Sequence, residues 1–238
     1  MRIHYLQNDP MAVPGLIEQW ATQKRHPLTG TRVYEGESFP ALDSFDLLII
    51  LGGRMGAYEE AQYPWLIAEK AYIREAIFQN KFVLGICLGV QLMAEALGGK
   101  AIPHEHKEVG WWPIQLNADA ANAELLQGLP PQFCAFQCHG DTFHLPAGAV
   151  LLAGNNACAN QSFLYGRRAL GVQFHPEVDH GITTMWTQQF QDDLKEGPFS
   201  QTIEAMVNQP ACLEQGKEVM FTILNNFERC IDHEAASA

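Results

Sequence analysis

Cationic side chains are scarce in this sequence. Fifteen Lys and Arg face 27 Asp and Glu, a formal net charge of −12 at pH 7, and the basic residues form no run. Phosphate backbones and anionic bilayers repel such a chain, so neither nucleic acid nor membrane is expected as a partner. Long apolar stretches are missing as well, since none approaches the roughly 20 residues that span a bilayer. The start, "MRIHYLQNDP", has one early arginine but no apolar core and no small-residue cleavage site. It reads as a first β-strand, not a signal peptide. The six cysteines (Cys87, Cys134, Cys138, Cys158, Cys212, Cys230) are spread without the spacing of a disulfide framework. Free thiols in a reducing cytoplasm are therefore expected. Repeats, low-complexity tracts, linkers and a nucleotide-binding P-loop are all lacking, so 1–238 is expected to be a single domain.

What is present is a chain with 47% hydrophobic residues in two alternating textures. "RIHYL", "TRVYEG", "FDLLIILGG" and "KFVLGI" read as strands, the third apolar enough to be buried on both faces. Between them "PGLIEQWATQKR" reads as a helix. So does "PWLIAEKAYIREAIFQN", with Leu66, Ala71, Ile73 and Ile77 on one face and Asn80 as its C-cap. This order predicts an α/β fold with an open, mostly parallel twisted sheet and flanking helices. From Gly99 to Gln173, "AIPHEH", "GWWPIQLN", "FCAFQCHG", "AVLLAG" and "SFLYGRRALGVQFH" add shorter strands, some antiparallel. Beyond Pro176 the pattern turns helical, and Val219, Met220, Ile223, Leu224 and Phe227 mark one face of a last helix. Residues 190–238 are expected to form a helical extension, packed over the sheet or serving as a partner interface or lid.

One corner of this pattern carries chemistry. In "FVLGICLGVQLMAEALGG" a strand feeds a helix through Gly85-x-Cys87-x-Gly89. That is a nucleophile elbow with a thiol in place of a hydroxyl. The following helix start favours thiolate, and the Leu88 N–H is placed to meet an oxyanion. A buried structural cysteine would also suit the position, so the reading needs a base. "GVQFHPEV" offers one. Pro176 biases His175 toward extended backbone, and residues two apart then share a face, bringing Glu177 beside the imidazole. A carboxylate there holds one tautomer and leaves the other ring nitrogen for the thiol. Gly52 and Gly53, closing a buried strand, allow close backbone approach, with Gly53 as the second oxyanion donor.

Taken together, "LGGRMG", "GICLGVQLMAEALGG", "CHGDTF" and "QFHPE" resemble the class I (triad) glutamine amidotransferase family over about residues 40–180. The "HGD" element resembles most closely the amidotransferase domain of guanosine monophosphate synthetase, and the string from "LGGRMGAYEEAQYPW" onward resembles a free-standing branch of the family. The resemblance implies Cys87 as nucleophile, His175 as general base and acid, Glu177 as its orienting carboxylate, and Gly53 and Leu88 as the oxyanion hole. It also implies that Gln91, Cys138, Gly140 and Asp141 hold the amino-acid end of the substrate. Three positions depart from the family pattern: Arg54 replaces a common proline, Val90 a histidine or methionine, and Cys138 a serine or asparagine.

The implied reaction hydrolyses the γ-amide of glutamine through a γ-glutamyl thioester, with no cofactor, and delivers ammonia to a separate synthetase or acceptor subunit. The alternative is a self-sufficient γ-glutamyl peptidase. A non-catalytic member would normally lack a triad residue, and all three are present. No metal site is expected. His104 and His106 form at most a pair on a strand edge, and Cys134, Cys138 and His139 are better explained by core and substrate segment. Of Trp111 and Trp112, alternation buries one at most.

Overall fold

Residues 1–189 and 197–237 are described in a computed structural model. The first half runs β1 (Ile3–Gln7), α1 (Leu16–Lys24), β2 (Leu28–Arg32), β3 (Leu47–Ile50), α2 (Trp65–Phe78), β4 (Phe82–Ile86) and α3 (Leu88–Ala96). The second runs β5 (Lys100–Leu116), β6 (Gln132–His144), β7 (Ala149–Gly154), β8 (Ser162–Tyr165), β9 (Ala169–Val172), α4 (His180–Gln189), α5 (Ile203–Val207) and α6 (Pro210–Ser237). The strands join one mixed sheet in the order β2-β1-β3-β4-β9-β8-β7-β5-β6. Its first five members pair in parallel, and the rest extend it antiparallel from β9.

Strands β3 and β4 are buried at every residue because helices cover both of their faces. Leu47, Ile49 and Leu84 pack with α1 and α6 on one side; Leu48, Ile50 and Val83 pack with α2 and α3 on the other. The face expected on α6 is the buried one, with Val219, Met220, Ile223, Leu224 and Phe227 all in the first core. Asn226 anchors the same helix by donating to the carbonyl oxygens of Leu125 and Gln127 at 3.1 and 2.8 Å. Residues 190–196 and Ala238, which the expected helical extension included, lie outside the described residues.

Several local expectations are corrected. β2 begins at Leu28 and stops at Arg32, and "VYE" forms a 3₁₀ turn instead of continuing the strand. The ladder to β1 fixes this edge strand, which has too little apolar alternation to show in sequence. "AIPHEH" and "GWWPIQLN" are one strand, β5, whose register against β6 shifts between Pro103 and Glu108. Trp111 is buried and Trp112 partly exposed, as alternation requires. On α2, Ala71 is exposed and Glu69 is buried in its stead. Ala71 lies five residues after Leu66 and so stands about 140° away around the helix. Asn80 does adopt left-handed backbone, φ 58°, just beyond that helix. Finally, Cys134 and Cys212 form a disulfide that ties β6 to the first turn of α6. Folding brings together two cysteines 78 residues apart, and their spacing gives no hint of it.

Candidate active site

All nine residues expected at the site line a single cavity of about 320 Å³ at the carboxyl ends of the parallel strands: Cys87, His175 and Glu177, Gly53 and Leu88, Gln91, Cys138, Gly140 and Asp141. Cys87 takes the N-cap position of α3 with φ 53°, in the left-handed region that a side chain rarely occupies. Its backbone N–H is fastened to the Val172 carbonyl at 2.9 Å, and its own carbonyl accepts from Val90 at 3.1 Å. The elbow is possible because α3 presses on the sheet without side chains between. A Cβ on Gly89 would lie 2.2 Å from the Ile50 carbonyl oxygen, and one on Gly85 2.4 Å from Met93 Sδ.

His175 is placed by a backbone hydrogen bond to Phe136 O at 2.8 Å, which pins the chain after β9 to β6. Its Nδ1 lies 2.7 Å from Glu177 Oε1, the pairing that extended backbone before a proline predicts. The Trp186 ring meets the imidazole edge-on, centroids 4.9 Å apart, and is itself held by Nε1 donating to Met11 O at 2.9 Å. Glu177 is fixed by its main chain, where the first N–H of α1, from Leu16, donates to its carbonyl at 2.9 Å. Burial opposes a charge on His175, yet the Glu177 carboxylate and the Cys87 thiol outweigh it and hold the imidazole well above its ordinary pKa. Nε2 of His175 has no hydrogen-bond partner among the described residues. Cys87 stands beside it: a Cβ built on Gly52 would be 3.3 Å from His175 Cε1 and 3.6 Å from Cys87 Cβ. The thiol meanwhile makes a long hydrogen bond, 3.9 Å, to the Cys138 carbonyl.

The backbone N–H groups of Gly53 and Leu88 make no hydrogen bond among the described residues, and both residues line the cavity. Gln91 is buried and its amide nitrogen donates to Gln173 Oε1 at 3.1 Å, which turns that nitrogen toward the protein. Burial pushes the Cys138 thiol up to about 11, so it stays protonated, while burial raises the half-buried Asp141 carboxyl from its usual range. His104 and His106 bond to one another within β5, Nδ1 of the first to the backbone of the second. Among the described residues no group of three or more His, Cys, Asp or Glu is placed to hold a metal ion.

Sequence reasoning passed over several cavity residues. Asp9, just past β1, accepts from Arg54 Nε at 2.6 Å across the rim, and Lys107 and Trp186 join the lining. Asp9 follows β1 and Trp186 lies within α4, neither with any local signature. Behind the cavity, fully buried Glu108 lies 3.0 Å from His139 Nε2, which makes no hydrogen bond among the described residues, and accepts from Asn155 and Gln161 at 2.6 and 2.8 Å.

Among the described residues no helix is long and apolar enough to cross a membrane. Residues 23–192 match the model of the class-I glutamine amidotransferase family. A glutamine amidotransferase-like protein of Salmonella typhimurium, YfeJ, is 29% identical over 89% of this chain and 90% of its own. A glutamine-hydrolysing GMP synthase subunit of Thermoplasma volcanium is 33% identical over 58% of this chain and 66% of its own. The match to the undivided GMP synthase of Geobacillus kaustophilus spans only 25% of that protein. The crystal structure of a glutamine amidotransferase from Thermotoga maritima superposes with a TM-score of 0.88, covering 95% of this chain and 97% of the other at 28% identity. The chain belongs to the class-I glutamine amidotransferase family, whose members are cysteine-dependent amide hydrolases.

Proposed function

We propose that this protein is a glutaminase of the amidotransferase type, one 1–238 domain in which Cys87, His175 and Glu177 act as a triad. One observation carries the reading. Glu177 occupies Nδ1 of His175 and leaves Nε2 without a partner beside a thiol on a left-handed elbow. An imidazole so held takes the thiol proton, and the resulting imidazolium is stabilised by the carboxylate. The Cys87 sulfur then bonds to the γ-carbonyl carbon of glutamine, and the oxyanion is met by the N–H groups of Gly53 and Leu88. His175 returns its proton to the leaving nitrogen, and ammonia departs. Water, deprotonated by His175, cleaves the γ-glutamyl thioester to glutamate and regenerates the thiol.

Gln91, Cys138, Gly140 and Asp141 are proposed to hold the amino-acid end of the substrate, the 138–141 segment partly through its main chain. Ammonia would pass to a separate synthetase, as suits a chain similar to a glutamine-hydrolysing GMP synthase subunit. Cys87 has to be reduced to act, which favours the cytoplasm; the Cys134–Cys212 bond points to a less reducing setting.

Glutamate release by the purified protein, from L-glutamine and from a γ-glutamyl peptide, tests the reading with Cys87→Ala as the blank. Turnover of glutamine that disappears in Cys87→Ala is the expected result. Preferential cleavage of the peptide would make the protein a γ-glutamyl hydrolase, and activity retained in Cys87→Ala would overturn the mechanism.

A further inference from the structure

Behind the Gly52–Gly53 loop lies a carboxyl group for which the proposed reaction has no use. Glu69, on α2, is 0% exposed, and among the described residues neither of its side-chain oxygens has a hydrogen-bond partner. Burial raises its pKa, and two groups pull the other way, toward the carboxylate, without offsetting it: the amide of Asn8, in the turn after β1, whose Nδ2 is spent on Leu51 O, and Lys70, its neighbour on the same helix. Lys70 is no counter-ion, because its ammonium is taken up by Glu60, by Glu95 at 2.7 Å and by Ala57 O at 3.1 Å. Burial therefore pushes the Glu69 carboxyl up to about 8, and at neutral pH it is chiefly a carboxylic acid.

The neighbour is incomplete in a complementary way. Asn8 is 0% exposed, and its Nδ2 donates to Leu51 O at 3.3 Å, but its Oδ1 lacks a donor among the described residues. A protonated carboxyl has the O–H that this oxygen wants, whereas a carboxylate has only acceptors. Asn8 also abuts the loop itself. The carbonyl it holds belongs to the residue before Gly52, and a Cβ on Gly53 would lie 3.2 Å from Asn8 Cβ.

We propose that Glu69 is a positioning residue: it donates to Asn8 Oδ1, locks Asn8 against Leu51 and Gly53, and so fixes the Gly53 N–H where an oxyanion forms. The proposal deepens the glutaminase reading and rests on it for what the loop does. Ionisation of Glu69 withdraws the donor, so the lock holds at neutral pH and loosens as pH rises through about 8.

Two electrophiles separate positioning from mere stability. A glutamine analogue with a chloromethyl ketone in place of the amide reacts with Cys87 through an oxyanion adduct, and so depends on the loop. Iodoacetamide alkylates the thiol by direct displacement and does not. Glu69→Leu is expected to slow the chloroketone about tenfold while leaving the iodoacetamide rate within about twofold. Glu69→Gln, which keeps a donor, should match wild type at pH 7 and retain its rate ratio at pH 9, where that of wild type falls. Asn8→Ala, breaking the chain from its other end, should repeat the Glu69→Leu pattern and serves if that variant does not fold. An unchanged rate ratio in Glu69→Leu and Asn8→Ala, or one that falls with pH equally in Glu69→Gln and wild type, would overturn the proposal. If the chloroketone fails to label Cys87 in wild type, the glutaminase reading fails instead. Hydrogen exchange at the Gly53 amide then decides the lock: faster in Glu69→Leu but not in Glu69→Gln upholds it, and no change in either refutes it.

Discussion

Two histidine–glutamate pairs stand at the same cavity, one lining it with both residues and the other with its glutamate buried behind the wall, and their surroundings differ. His175 meets Glu177 through Nδ1 at 2.7 Å, and its Nε2 has no hydrogen-bond partner among the described residues. His139 has Nδ1 2.9 Å from Asp141 O, while its Nε2, which also makes no hydrogen bond among the described residues, lies 3.0 Å from the buried Glu108 Oε2. The carbonyl of Asp141 only accepts, so Nδ1 of His139 carries a hydrogen. A general base needs one nitrogen fixed and the other facing the group it deprotonates; a brace needs only to hold its own wall together. The first pair has the form of a catalytic dyad. The second ties β5 to β6 behind the 138–141 wall, with Glu108 further bound to Asn155 and Gln161. A buried histidine beside a carboxylate therefore does not identify a catalytic pair. The group that its second nitrogen faces does, Cys87 for His175 and a carboxylate for His139.

The sharpest way to break this comparison is to treat the two histidines alike. His175→Gln is expected to lower glutamate release by about 10³-fold or more, and His139→Gln by less than about tenfold. Equal losses in steady-state kcat would dissolve the distinction. Next in size is a change in the brace. Glu108→Gln puts an amide where a fully buried carboxylate accepts from both Asn155 and Gln161, and losing one such charged hydrogen bond costs about 2 kcal/mol. Urea denaturation should show this loss, with KM rising more than kcat falls because the substrate wall shifts as a unit. The smallest effect is expected at Cys138→Ser. Burial keeps that thiol protonated, with its pKa near about 11, and the group that reaches Cys87 is the Cys138 carbonyl, not its sulfur. Glutamine turnover within about threefold of wild type would fit, since the main-chain contact survives. A loss near that of His175→Gln would give the side chain a part in the chemistry.

The same contrast explains what could be read from the sequence. His175 and Glu177 are two positions apart in backbone that Pro176 keeps extended, so their meeting is a local matter. Cys87 announces itself through glycines on either side, and a close approach to Ile50 and Met93 is what those glycines permit. Glu108 and His139 meet only because β5 and β6 pair in one register, after a shift between Pro103 and Glu108 that no residue type signals. Cys134 and Cys212 likewise find one another through the docking of α6 on β6. Glu69 was hidden for a different reason. Apolarity drew the helical face through Ala71, whereas 3.6 residues per turn puts position 69 with Leu66 and Ile73, charge notwithstanding. The alternation of strands and helices, the buried β3 and β4 and the buried face of α6 were legible because each is set by local apolar pattern, a continuous run in β3 and β4 and a helical period in α6. The antiparallel half was legible only as a set of strands, since its order follows from hairpin and crossover geometry spread over the chain.

The left-handed backbone at Cys87 bears on how this protein would respond to selection. A residue with a side chain held at φ 53° stands about 1 kcal/mol or more above a glycine there. Heat resistance alone would therefore favour replacing Cys87 with glycine, removing the sulfur and relaxing the fold in one substitution. A library screened only for thermal survival would lose the thiol first, so any engineering of this scaffold has to select for turnover at every round.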